Sequence, residues 1–194
     1  MSKLYRISEI FYSLQFEGAR SGTANIFLRF AECNLTCSFC DTEFESFREL
    51  TLTQILSELG KFAGKNVILT GGEPAMQVDA DLVSGLKQAG YYLAVETNGS
   101  LPLPDGIDWI TCSPKVAEHV VKKSFPNGVS ELKYVRAKSQ AIPRPQVDAQ
   151  HLFLSPAFYG NEPSAENLQH CIDLVLQNPD WKLTLQGHKL MNVR

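Results

Sequence analysis

"ECNLTCSFCDTEF", residues 32–44, places Cys33, Cys37 and Cys40, three of the chain's five cysteines, within eight residues. They follow the apolar run "IFLRF" at 26–30, so the thiols sit on a loop leaving a strand. Thiolates so spaced can converge on one metal centre, and two readings stay open. Structural zinc takes four protein ligands in closed tetrahedral coordination, so its fourth would be Cys112, Cys171 or a histidine. An iron–sulfur cubane on three cysteines leaves one iron open to a substrate or cofactor.

The bulk composition narrows the classes. At 194 residues the chain can bury roughly 70% of its unfolded surface and needs no disulfide to fold. Lys and Arg total 18 against 21 Asp and Glu, and a net charge of -3 argues against direct nucleic-acid binding or an anionic membrane partner. The opening "MSKLYRISEI" lacks a signal peptide's apolar core, and no segment approaches the roughly 20 apolar residues of a membrane span. A cytoplasmic address is expected. In that reducing compartment a tight, odd-numbered cysteine group points to a metal or redox centre. Cys112 and Cys171 stand apart and read as small buried apolar residues.

Short β-rich runs alternate with helical patterns. Strands are expected at 26–30, 67–70, 92–96, 109–112, 132–136, 151–154 and 182–186. "LTLTQILSELGKF" repeats Leu52, Ile55, Leu56, Leu59 and Phe62 at helical spacing, capped by Thr51 or Thr53. "DADLVSGLKQAG" does the same with Leu82, Val83, Leu86 and Ala89, and Gly90 supplies a left-handed end. A third helix is expected over 165–177. Residues 117–130 and 138–149 carry too much Pro and polar character and read as loops. Nothing divides the chain, so one domain over 1–194 is expected. The fold class is α/β: a truncated, open barrel of about six parallel strands with few helices, since a full eightfold barrel needs about 250 residues.

Such folds place their site at the carboxyl ends of the strands. "AECNLTC", "GGEP", "TNGS", "SPK" and "SPAF" all stand at strand ends in this chain. One shared site is the economical reading.

The C-x-x-x-C-x-x-C spacing, Phe39 before the last cysteine and "GGEP" at 71–74 resemble the radical S-adenosylmethionine superfamily. "FYSLQFEG" at 11–18, Arg29, "CDT" at 40–42, "ETNG" at 96–99, "SPK" at 113–115 and the tail "LQGHKLMN" narrow this resemblance to the 7-carboxy-7-deazaguanine synthase family, over about residues 7–192. The resemblance implies a 4Fe-4S cluster on Cys33, Cys37 and Cys40, with S-adenosylmethionine on the fourth iron and Mg2+ on Thr42. It implies S-adenosylmethionine contacts from Phe39, Cys40, Asp41, Gly72, Glu73, Gly99, Ser113, Pro114, Lys115 and Ser155. Leu14, Gln15, Phe16, Glu17, Arg29 and Thr97 would face the substrate, 6-carboxytetrahydropterin, whose ring is contracted with loss of ammonia on the route to queuosine and related deazapurines. The radical from the cofactor would do the chemistry, so no side chain is expected to act as nucleophile. An external one-electron donor such as a flavodoxin or ferredoxin and a homodimer are further implications.

Each role has a chemical sense. A guanidinium pairs bidentately with a carboxylate, and amide, carboxylate and backbone groups can match a pterin edge. The glycines of "GGEP" suit a backbone close to a ligand, and Glu73 could meet an ammonium. Phe16 stands where the family usually has glycine, so its backbone must avoid positive φ; Ser155 stands where a glutamine is common. His188 and Lys189 match the tail without an evident role. The alternatives are a glycyl-radical activating enzyme, which typically has aromatic-Cys-His-Asn in place of Phe39-Cys40-Asp41-Thr42, and a non-catalytic zinc module.

Overall fold

The computed structural model describes residues 3–37, 46–160 and 162–193 and is built on one nine-stranded sheet. Its strands are β1 (Tyr5–Leu14), β2 (Ala24–Phe30), β3 (Arg48–Leu50), β4 (Asn66–Gly71), β5 (Tyr92–Thr97), β6 (Trp109–Cys112), β7 (Val129–Arg136), β8 (Ala149–Pro156) and β11 (Trp181–Leu183). A small hairpin pairs β9 (Phe158–Tyr159) with β10 (Glu162–Pro163). The helices are α1 (Leu52–Leu59), α2 (Ala80–Gln88), α3 (Glu118–Ser124), α4 (Ala165–Gln177) and α5 (Gly187–Met191). The sheet order is β11-β8-β7-β6-β5-β4-β2-β1-β3. Every pairing from β2 to β11 is parallel, and β1 runs antiparallel to both its neighbours. The sheet is open, as expected of a truncated barrel, with seven parallel strands where about six were expected.

Alternation along the strands separates two faces. In β2, Ile26, Leu28 and Phe30 are fully buried in an apolar cluster with Ile55 and Leu59 of α1 and Leu82, Val83 and Leu86 of α2. Phe27 and Arg29 face the other way and line a cavity. In β7, Leu132 and Tyr134 join a second cluster with Cys112, Val121 and Cys171, while Lys133 and Val135 line the same cavity. Helices α1 to α4 thus cover one face of the sheet and leave the other to the cavity.

Helix ends follow their chemistry. Thr51, rather than Thr53, caps α1 in a reciprocal capping box with Gln54. Asp79 caps α2 and Ser164 caps α4, and Gly90 takes φ 81° just past α2.

Three expectations need correction. Residues 117–130 hold α3 where a loop was expected: it has a single fully buried side chain, Val121, so it writes no periodicity, and Glu118 at its start and Lys122 and Lys123 at its end complement the dipole. The segment 138–149 is irregular up to the start of β8, as expected. The last strand is 181–183 and not 182–186, because Thr184 turns aside and its hydroxyl accepts the Gly18 N–H at 2.9 Å. Strands β1 and β3 were not anticipated: an irregularity between Ile7 and Glu9 shifts the β1 register, so Tyr5 and Ile7 enter the core whereas Glu9 and Phe11 line the cavity.

Asp79 ties the N-terminal strand to α2, accepting from Leu82 N–H at 2.9 Å, the Tyr5 hydroxyl at 3.0 Å and Lys3 at 2.6 Å. Burial opposes its ionisation, but Lys3 and these donors outweigh it and hold its pKa below the ordinary carboxylate value. Asp79→Ala should cost about 1 kcal/mol in urea unfolding at pH 7, the usual loss for a cap. A depressed carboxylate stabilises above its unfolded pKa, about 3.9, and the effect is lost as pH falls through the folded value. The gap between wild type and variant should therefore close below about pH 4.

Candidate functional site

A cavity of about 960 Å3 opens at the carboxyl ends of β2 and β4–β8. Its floor is the β1–β2 connection, which folds back across the concave face. Gly18 N–H donates to Thr184 Oγ1 and Ala19 N–H to Glu131 Oε2 at 2.9 Å each, so the connection is pinned to both β7 and the segment after β11. Glycine is required at 18: φ is 69°, and a Cβ would lie 2.2 Å from Glu131 Oε1. Gln15 Oε1 accepts from Phe16 and Glu17 N–H, while its Nε2 donates to Glu96 Oε1 at 2.7 Å. Glu17 Oε2 lies 2.7 Å from Lys133 Nζ, and Glu96 Oε2 lies 3.6 Å from it.

One wall is aromatic and cationic. Phe11 and Phe27 stack at 4.9 Å and 6°, Arg29 lies 5.6 Å over the Phe11 ring, and its Nε donates to Glu9 Oε2 at 3.3 Å. Arg29 is half-buried and faces the cavity, so it is not a surface charge.

The roof begins at the cysteine loop. Gly71 and Gly72 come close to the chain's own backbone: a Cβ on Gly71 would lie 2.1 Å from Phe30 O and one on Gly72 1.7 Å from Glu32 O. Gly72 N–H donates to Phe30 O at 3.1 Å and Glu73 N–H to Glu32 O at 2.9 Å. The Glu73 side chain is fully buried and spent within the chain, accepting from Ala75 N–H, Thr97 O–H and Asn98 N–H. Burial raises its pKa, and these three bonds oppose the rise. From the β5 end, Asn98 reaches Asn34 Oδ1 at 3.1 Å and Cys33 Sγ at 3.9 Å, and Asn34 reaches Ser100. Two strand ends therefore grip the loop that carries the thiols.

Cys33 and Cys37 line the cavity, while Phe39, Cys40, Asp41 and Thr42 lie outside the described residues. Cys112 and Cys171 are fully buried in the second apolar cluster, where burial raises their pKa to about 12 and about 11. They behave as the apolar residues expected and offer no thiolate to the cavity. Lys115 lines the cavity, its ammonium within 2.7 Å of Ser113 Oγ; burial, then Lys133, lower its pKa to about 8 against the pull of Cys37. Thiols at an open cavity, a loop gripped by backbone and nearby ammonium groups suit a negatively charged iron–sulfur cluster.

Over residues 28–128 the chain matches the Radical SAM superfamily. It is 43% identical to the 7-carboxy-7-deazaguanine synthase of Bacteroides thetaiotaomicron, over 97% of this chain and 98% of the relative, and 38% identical to that of Bradyrhizobium diazoefficiens, over 98% and 99%. The chain belongs to the 7-carboxy-7-deazaguanine synthase family. Its fold is that of QueE from Escherichia coli, with TM-score 0.73 and 21% identity over 94% of each chain.

Of the residues expected from this family, Leu14, Gln15, Glu17, Arg29, Cys33, Cys37, Gly72, Thr97, Ser113, Lys115 and Ser155 line the cavity. Phe16, Glu73, Gly99 and Pro114 are not among its lining residues. Phe16 has no positive φ, and a Cβ on Gly187 would lie 3.1 Å from Phe16 Cβ, so the bulkier residue packs against the start of α5. His188 and Lys189, without an evident role in the sequence, are brought to the cavity by α5. Sequence reasoning missed Glu9, Phe11, Phe27, Thr70, Glu96, Asn98 and Lys133. A signal existed for two of them: Glu96 in "YLAVET" and Lys133 in "SELKYV" interrupt apolar runs as Arg29 does in "IFLRF".

Gly72→Ala should prevent the cysteine loop from docking, lowering both iron content after reconstitution and melting temperature. Gly90→Ala, with nothing within 4 Å but φ 81°, should cost only about 1–2 kcal/mol and leave iron content unchanged. Equal iron content in the two variants would contradict the docking role.

Proposed function

We propose that this chain, acting as a single radical S-adenosylmethionine domain, converts 6-carboxytetrahydropterin to 7-carboxy-7-deazaguanine with loss of ammonia. The observation that carries this reading is one cavity with thiols at its roof, the carboxylates of Glu17 and Glu96 at its floor and Arg29 on its wall. Family membership supports the same reaction.

Cys33, Cys37 and Cys40 would hold the 4Fe-4S cluster, and Gly72, Glu73, Ser113, Lys115 and Ser155, with Phe39, Cys40, Asp41, Gly99 and Pro114, would hold S-adenosylmethionine. The pair supplies, on one-electron reduction, a radical able to take a hydrogen atom from carbon. The chain's own residues bind and orient. Arg29 pairs with the substrate carboxylate. Leu14, Gln15, Phe16 and Glu17, with Thr97, present the pterin to the radical source. The stacked Phe11 and Phe27 give the flat substrate an apolar wall. Glu73 acts by fixing Thr97 and Asn98 beneath the roof, its carboxylate being already occupied. Thr42 would offer its hydroxyl to Mg2+, a hard cation that prefers oxygen ligands.

The protein would draw its electron from a flavodoxin or ferredoxin, work as a homodimer and act in the cytoplasm on the route to queuosine. Among the described residues no helix is long and apolar enough to cross a membrane.

Anaerobically reconstituted, reduced protein should release 5′-deoxyadenosine and, with 6-carboxytetrahydropterin, form 7-carboxy-7-deazaguanine detectable by mass. Turnover indifferent to the pterin would contradict the assignment, and colourless protein holding one zinc would remove the radical chemistry altogether. Thr42→Ala should weaken the dependence of rate on magnesium while the cluster still assembles; loss of the cluster would refute its role.

A further inference from the structure

Lys133 stands in the middle of β7 with its side chain only 7% exposed, yet it lines the cavity. Taking an ammonium out of water is unfavourable, so it persists there only with close partners. Its partners come from two other parts of the fold. Glu17, from the β1–β2 connection, lies 2.7 Å away, and Glu96, from β5, lies 3.6 Å away. Gln15 completes the group by donating to Glu96 and accepting the Phe16 and Glu17 N–H groups. After these bonds Glu17 Oε1 has no hydrogen-bond partner among the described residues, and Glu96 Oε2 has only the looser contact with Lys133. Two carboxylates share one ammonium, leaving unfilled acceptor positions on the floor.

We propose that Lys133 is a positioning residue that holds Glu17 and Glu96 as a pair of charged acceptors for the adjacent ring N–H and exocyclic amino donors of an aminopyrimidinone edge. This rests on the pterin reading of the cavity. A charged carboxylate can take two parallel N–H donors, whereas a protonated one offers an O–H where the ligand also offers donors. Without an intervening cation, two part-buried carboxylates in one cavity raise each other's pKa until one keeps its proton. Lys133 prevents this. Burial works against its charge, but Glu17 and then Glu96 reverse the effect and raise its pKa; Glu96, despite burial, is in turn held low by Lys133 and Gln15. The other charges facing the group are Arg29 from β2, Arg20 from the β1–β2 connection, Lys115 after β6, and Glu131 from β7, with Glu9 of β1 paired to Arg29. Glu131 is itself occupied by Thr111 and Ala19, which leaves Lys133 as the cation between the two floor carboxylates.

The test is equilibrium binding to reconstituted protein under anaerobic conditions, with two ligands: 6-carboxytetrahydropterin, and its counterpart carrying an oxo group in place of the exocyclic amine. The wild type should prefer the pterin by roughly 30-fold or more, because the oxo compound sets an acceptor against an acceptor. Lys133→Met should weaken pterin binding by roughly 10-fold or more at pH 7.5. Relative to wild type, the loss should deepen at pH 5.5, where Glu96, deprived of Lys133, takes up a proton. In the double variant E96Q/K133M, which removes one carboxylate along with the ammonium, that extra loss at pH 5.5 should disappear. Equal binding of the two ligands by the wild type would overturn the proposal without any variant having to fold. A Lys133→Met defect of the same size at both pH values, unchanged by the second substitution, would also overturn it by reducing Lys133 to a structural strut. Wild-type protein that binds neither ligand would instead refute the pterin reading itself.

Discussion

The contact between Lys133 and Glu17 joins residues 116 apart in sequence and fixes where the cavity has its floor. A buried ion pair is a weak source of stability, since desolvating both charges consumes much of their attraction. What it can supply is position. The sheet is open between its edge strands, and where the β1–β2 connection crosses it the face carries Glu96, Glu131 and Lys133 in place of an apolar patch. The connection is held instead by Lys133 on Glu17, Glu131 on Ala19 and Thr184 on Gly18.

The roof is fixed by another means. Gly71 and Gly72 let β4 end directly against the backbone of residues 30–32, and no side chain could be accommodated there. Glu32, at φ 69°, takes a left-handed turn just before Cys33 while its carbonyl accepts the Glu73 N–H. The "GGEP" turn thus serves the thiol loop first, and its acidic residue braces the next strand end through Thr97 and Asn98. Floor and roof are built from contacts of opposite kinds, charged side chains below and bare backbone above.

Much of this was written in the sequence at short range. The strand cores, the three longer helices with their caps and the cysteine loop all depend on local spacing or on turn residues. Cys112 and Cys171 were legible as core residues because isolation is itself a signal. What escaped depended on partners distant in the chain. β1 hid because its register shift breaks the alternation that would betray it. α3 hid because a short helix with one fully buried side chain has no period. Lys133 and Glu96 make sense only once β5, β7 and the β1–β2 connection are brought together, although a charge within an apolar run had already marked Arg29 as unusual. The glycines of "GGEP" were read as sites of close approach to a ligand, whereas the neighbour the structure shows is the chain's own backbone.

The most direct measurement is an anaerobic crystal structure of the reconstituted protein with S-adenosylmethionine and 6-carboxytetrahydropterin. The pterin should lie between the Phe11–Phe27 wall and the thiol loop, its aminopyrimidinone edge within about 3.2 Å of Glu17 and Glu96 oxygens and its carboxylate on Arg29. A pterin bound elsewhere, or one whose amino edge faces away from Glu17 and Glu96, would contradict the account.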